Sequence, residues 1–286
     1  MASMRDIKRR KQSISSTQQI TKAMKLVSTV KLQKARRKAE ETATYFDYMY
    51  TTVCSILAKA GNIDHAYLKP GKTGRKAVIV ITSNRGLAGG YNSNVVKLVT
   101  GGDFPKDETI IYPIGHKGME SLKNKGYECV ETDYSEIIEA PMYSDAADLA
   151  RELLDAFARG EISEIYLAYT FFKNTVSHVP TLIKLLPVEI SEEDIAASAD
   201  KALMNFEPNE DEALNLIVPK YITSLIYGAL IEAVASENGA RMQAMDSATS
   251  NAEDMISDLS LKYNRARQGS ITQELTEIIA GAEALN

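Results

Sequence analysis

The chain has 286 residues, 44% hydrophobic and 25% charged, with a formal net charge of −5 at pH 7. This composition excludes collagen-like and low-complexity chains and suits one large or two medium domains. The two cysteines, Cys54 and Cys129, form no Cys-x-x-Cys and no metal-ligand spacing with His65, His116 or His178, so neither a disulfide framework nor a zinc site is expected.

Residues 1–60 contain neither glycine nor proline. Ile7 and Ile14 open an apolar stripe that Ile20, Ala23, Met24, Val27 and Val30 continue at helical spacing. Tyr45, Tyr48, Met49, Thr52, Ile56 and Ala60 extend it. The pattern predicts one helix of about 58 residues, roughly 87 Å long. Gln18, Thr21 and Ser28 interrupt the stripe, and a helix this polar needs a partner. Residues 1–40 carry twelve Lys/Arg against Asp6 and Glu40, so an acidic partner is expected, within the chain or outside it. The Arg- and Ser-rich start shares the composition of a transit peptide, but its periodicity runs on without a break. Residues 1–44 hold no aromatic side chain, so a stacking platform for single-stranded nucleic acid is missing.

All eight prolines and twelve of the sixteen glycines lie between Gly61 and Pro219. The run Ala77-Val-Ile-Val-Ile-Thr82 reads as a strand buried on both faces. A glycine-rich loop, Ser83-Asn-Arg-Gly-Leu-Ala-Gly-Gly-Tyr-Asn92, leads to a helix over Ser93–Val99. A strand over Thr109–Ile114, a helix over His116–Lys125 and a short strand over Glu128–Glu131 follow. Asp145–Arg159 reads as an amphipathic helix with Ser144 as its N-cap and Gly160 as its stop. Strands are expected over Glu164–Thr170 and Ser177–Leu186, the second at a sheet edge or a bulge because of Pro180. Alternating strands and helices argue for an α/β sheet with crossovers.

From Asp211 the pattern is again helical, and Pro219 is expected to bend the helix or to mark its start. Leu225, Ala229, Ala233, Met242, Met245, Thr249, Ala252, Met255, Leu259, Tyr263 and Ala266 recur every three or four positions. The 67 residues from Lys220 would span roughly 100 Å, too long to be buried in one core. The N-terminal helix is the natural partner, and the longer C-terminal segment leaves a tip, rich in Ile and Leu, unpaired. No apolar run approaches the ~20 residues of a membrane span.

The loop at Ser83–Asn92 lacks the Lys-Ser/Thr of a P-loop and the Gly-x-Gly-x-x-Gly of a dinucleotide site, so it reads as a structural turn. His116 has no nucleophile or carboxylate at a useful spacing and reads as a surface helix start; His178 reads as structural. Tyr45, Tyr48 and Tyr50 read as packing residues.

Three segments carry a family resemblance across essentially the whole chain: Ile20-Thr-Lys-Ala-Met24, the loop Ser83–Asn92, and Ile271-Thr-Gln-Glu-Leu-Thr-Glu-Ile-Ile-Ala-Gly-Ala-Glu-Ala284. Together they resemble the gamma subunit of F-type ATP synthases. Asn84 stands where the family commonly has Asp, and Ala88 where many members have Cys. The cysteine-bearing insertion of chloroplast members is not seen, and the N-terminal motif begins without an added leader, so a bacterial subunit is expected. The implied fold is α/β plus a long antiparallel α-helical coiled coil formed by the N- and C-terminal segments, around a central Rossmann-like α/β domain. The expected domains are residues 1–60, 61–210 and 211–286.

The resemblance implies a central rotor shaft without catalytic residues or cofactors of its own. It would couple rotation of a membrane c-ring, driven by proton flow, to ATP synthesis in a ring of three alpha and three beta subunits. It implies epsilon as a further partner and a peripheral place at the cytoplasmic face of the bacterial plasma membrane. Lys22, Met24, Lys25, Arg267, Gln268 and Thr272 are the implied contacts to beta subunits. Leu275, Ile278 and Ile279 would form a tip in a sleeve, and Phe206 and Glu207 would lie at the c-ring and epsilon end. An independent coiled-coil scaffold and a nucleotide-using α/β enzyme remain the alternatives on residues alone.

Overall fold

The computed structural model describes residues 4–60, 65–71, 74–188 and 210–283. The element order is α1 (Met4–Ala60), β1 (Arg75–Ile81), α2 (Tyr91–Gly101), β2 (Thr109–Ile114), α3 (His116–Asn124), β3 (Glu128–Cys129), α4 (Tyr143–Ala158), β4 (Ile162–Phe172), β5 (His178–Leu186) and α5 (Glu210–Glu283). The chain divides into two compact units, residues 1–28 with 242–286, and residues 29–241.

The larger unit holds a five-stranded sheet in the order β3-β2-β1-β4-β5. The first four strands are parallel; β5 pairs antiparallel to β4 at the edge, where Pro180 is tolerated. Strand β1 is buried on both faces because both are covered. Val78 and Val80 pack with Val95, Val96 and Val99 of α2 and Leu122 of α3. Ala77, Ile79 and Ile81 face the opposite layer, where Leu149 and Leu153 of α4 meet Ile222, Ile226 and Leu230 of α5 and Val53 of α1. Two antiparallel aromatic contacts tie α1 to α5 here: Phe46 to Tyr227 at 6.3 Å and Tyr50 to Tyr221 at 6.4 Å between ring centroids.

The smaller unit is an antiparallel pair made by the start of α1 and the last part of α5. Gln18 meets Glu253, Thr21 meets Thr249 and Lys25 meets Asp246, so paired numbers sum to about 271. The inward positions of α1 alternate in steps of four and three: Ile14, Gln18, Thr21, Lys25 and Ser28. Those of α5 do the same: Met245, Thr249, Ala252, Ile256, Leu259, Tyr263 and Ala266.

Three sequence expectations are corrected. The apolar stripe predicted on α1 is not its seam: Ile20 and Val27 are 59% and 57% exposed, while the supposed interruptions Thr21 and Ser28 are buried. The period is 3.5 rather than a run of apolar residues, and small polar side chains meet at the centre. On α5, Met255 is likewise exposed and Ile256 takes the inward place. Ser144 does not cap α4; the helix starts at Tyr143 and the Asp145 carboxylate accepts the Met142 N–H at 3.0 Å. Pro219 lies inside α5, nine residues after its first, and the helix does not begin there. One stretch of 18 residues in α5 is apolar enough by length and composition to cross a membrane; 61% of that stretch is buried in the protein.

Candidate functional site at the paired helix ends

The smaller unit brings together part of the predicted contact set. Lys22 is exposed and Met24 half-buried on α1. Lys25 occupies a seam position, and its Nζ lies 2.5 Å from Asp246 Oδ1 of α5. Its charge is therefore already met within the chain, an exposed pair of modest stabilising value. Thr21 and Thr249 share a buried hydroxyl hydrogen bond at 2.8 Å; either can donate. Thr249 Oγ1 also lies 2.7 Å from the Met245 carbonyl and Thr21 Oγ1 lies 3.0 Å from the Gln18 carbonyl, so the hydroxyl that accepts across the seam donates to its own helix.

Arg267, Gln268 and Thr272 lie elsewhere along the same unit. All three are exposed, and Thr272 Oγ1 donates to the Gln268 carbonyl at 2.9 Å. Gln268 and Thr272, four apart, share a helix face. Arg267 is twenty-one residues beyond Asp246, the partner of Lys25, or about 32 Å at 1.5 Å per residue. The residues implied on α1 and those implied on α5 thus form two stations along the unit. From residue 271 to 282 every side chain is exposed, Leu275, Ile278 and Ile279 among them at 55%, 68% and 61%. Phe206 and Glu207 lie outside the described residues.

The glycine-rich loop is bound into the larger unit. The Asn92 carboxamide oxygen accepts the Ser83 N–H at 2.9 Å, and the Ser83 hydroxyl donates to the Arg85 carbonyl at 2.6 Å. Asn84 uses both ends of its amide: Nδ2 donates to the Ser135 carbonyl at 2.8 Å and Oδ1 accepts the His116 N–H at 3.2 Å. An aspartate could not make the first of these bonds. The Tyr91 hydroxyl donates to the Ala233 carbonyl of α5 at 3.2 Å. Leu87 takes φ +65° and remains 65% exposed.

Sequence reasoning missed the clamp between this loop and α5. Arg241 Nη1 sits 2.6 Å from Glu237 Oε1, and its Nη2 approaches the carbonyls of Arg85 and Gly86 at 3.4 Å. Burial raises the Glu237 carboxyl, and the Arg241 guanidinium draws it back down. The available signal was the i, i+4 spacing of Glu237 and Arg241. Among the described residues, no cluster of three His, Cys, Asp or Glu is arranged to hold a metal.

The sequence family described as ATP synthase matches residues 3–285. The chain is 66% identical over 292 residues to the ATP synthase gamma chain of Lachnoclostridium phytofermentans, covering all of both chains. It is 39% identical over 299 residues to the ATP synthase gamma chain of Acetobacterium woodii named sodium ion specific, covering 99% of each. The fold is similar to a chain in the rotor of the Euglena gracilis mitochondrial ATP synthase, with TM-score 0.66, 17% identity, and 94% and 98% of the two chains covered. The chain belongs to the ATP synthase gamma chain family.

Proposed function

We propose that this chain is the central rotor shaft of a bacterial F-type ATP synthase, coupling c-ring rotation, driven by proton flow, to ATP synthesis in a ring of alpha and beta subunits. It has no catalytic residues of its own. Three alpha and three beta subunits, epsilon and the c-ring are its partners, and the complex sits at the cytoplasmic face of the plasma membrane. The reading divides the chain into a coiled-coil helix at 1–60, a globular domain at 61–210 and a second coiled-coil helix at 211–286.

The observation that carries the reading is the C-terminal end of α5, exposed on every side from residue 271 to 282 although Ile271, Leu275, Ile278 and Ile279 are apolar. An apolar end of this kind suits a sleeve that it can turn in without specific bonds. Below it, Arg267, Gln268 and Thr272 supply donors and acceptors for a catalytic subunit. Lys22 and Met24 supply a second contact, with Lys25 held toward Asp246. A shaft that meets each surrounding site differently biases each between conformations.

Copurification of the full chain with alpha and beta subunits, read as stoichiometry, tests the assembly: one copy per three beta chains is expected. Isolation as a free chain or in a one-to-one complex would refute it. The Arg267→Ala/Gln268→Ala double variant is expected to assemble with ATP-driven ion pumping reduced several-fold. Unchanged pumping by that variant would remove the two residues from the proposed contact.

A further inference from the structure

Glu232, Ser236 and Gly239 of α5 follow at steps of four and three and so line one helix face. That face lies against the hairpin of β4 and β5. The Ser236 hydroxyl donates to the Thr170 carbonyl at 3.0 Å. The Tyr169 hydroxyl is the hydrogen-bonding neighbour of the Glu232 carboxyl. His178 Nε2 would stand 2.5 Å from a Cβ at position 239, so glycine there makes room for the imidazole. Glu232 Oε2, Thr170 Oγ1 and His178 Nε2 are all buried with no hydrogen-bond partner among the described residues. Two such atoms in one interface, Glu232 Oε2 and His178 Nε2, depart from the general satisfaction of buried polar groups.

Burial and the Tyr169 hydroxyl are what act on the carboxyl, and the basic groups of the neighbouring elements are engaged with other carboxylates. On α5 itself, Arg241 is engaged by Glu237. From α1, Lys31 pairs with Glu139. From β5, Lys184 pairs with Glu164 of β4, and burial holds His178 toward its neutral form. From β4, Tyr169 is a phenol that burial makes still weaker as an acid. A buried carboxylate in such a setting is costly, whereas a carboxylic acid is far less so.

We propose that this interface is a proton-sensitive latch: the β4–β5 hairpin seats on α5 with Glu232 as a neutral acid, and release of that proton to solvent loosens the hairpin. Burial lifts the Glu232 carboxyl to about 7 from its ordinary 4.5. Because the seated value is the higher one, the latch is strongest below pH 4.5 as far as Glu232 is concerned. Its strength declines as the pH rises toward 7 and is flat above. His178 acts in the other sense: its seated value is lowered from 6.5, so acid weakens the latch as pH falls through that value. The hairpin is therefore held within a pH window with Glu232 setting its alkaline side.

Hydrogen exchange of the full chain tests this, comparing wild type with Glu232→Gln in peptides covering β4 and β5 at pH 5.5 and pH 8.0. Intrinsic exchange rates and His178 act alike on both proteins, so the ratio of their protection isolates Glu232. That ratio is expected to grow roughly 30-fold in favour of the variant from the lower pH to the higher. A ratio constant within twofold overturns the latch. Infrared titration of the wild type decides the question should the variant fail to fold. A protonated carboxyl band disappearing near pH 7 supports the latch, and its absence at pH 5.5 overturns it.

Discussion

Arg241→Met should destabilise the larger unit by about 3 kcal/mol, near the low end of what removing one member of a buried ion pair costs. The low end applies because Arg241 and Glu237 keep 11% and 14% of their side-chain exposure. Most of the loss comes from Glu237, left buried without its guanidinium; the two loop carbonyls at 3.4 Å add little, since those contacts are long. For a unit of this size, 1 kcal/mol moves the melting temperature by about 2–4 °C, so a drop of about 6–12 °C is expected in circular-dichroism melts of the full chain. The loss should deepen with pH. Without Arg241 the Glu237 carboxyl, already raised by burial, moves further up. A folded value above the unfolded one means that stability is present below about 4.5 and is lost as the pH rises through the folded value. The Glu237→Gln/Arg241→Met pair should recover most of the loss, because no charge is then stranded. A drop below about 1 kcal/mol, an equal drop at pH 5 and pH 8, or a double variant no better than the single would refute the reasoning.

Two further outcomes bear on the fold. Gly115→Ala should cost more than about 2 kcal/mol in the same melts, since residue 115 has φ +97° and its Cβ would lie 2.2 Å from the Thr82 carbonyl oxygen. Leu153→Ala, at a fully buried position, should cost about 2–5 kcal/mol, whereas Leu261→Ala, at 58% exposure, should stay within about 0.5 kcal/mol. Equal effects of the two leucine substitutions would place the core elsewhere.

The sheet was legible in the sequence because its signals are local. Ala77–Ile81 is an unbroken apolar run, and a strand covered on both faces requires one. Thr109–Ile114 appears with the predicted bounds, and Pro180 marks the edge strand because only an edge spares the missing N–H. The seam of the smaller unit was not legible from hydrophobicity. Thr21 and Lys25 lie inward because their partners are Thr249 and Asp246, contacts more than two hundred residues apart in sequence. Ile20 and Val27 attract attention by composition and yet point outward. The same locality limits the candidate contacts. The family resemblance marks Lys25 as a contact to a partner subunit, and only the opposing helix reveals Asp246 beside it. The clamp at Arg241 escaped notice for a related reason: two of its three partners are backbone carbonyls, which no side-chain motif announces.

The paired numbers that sum to about 271 also constrain how the gene can change in length. One residue inserted in either helix turns everything beyond it by about 100°, so each inward side chain past that point would be carried out of the seam. Seven residues added to one helix restore its face but shift its partners by two turns, separating Thr21 from Thr249. Length changes that leave the pairing intact therefore belong in the turns between sheet elements, such as the exposed bend around Val176. The helices are a ruler with fixed graduations, and the sheet domain is where the chain has slack.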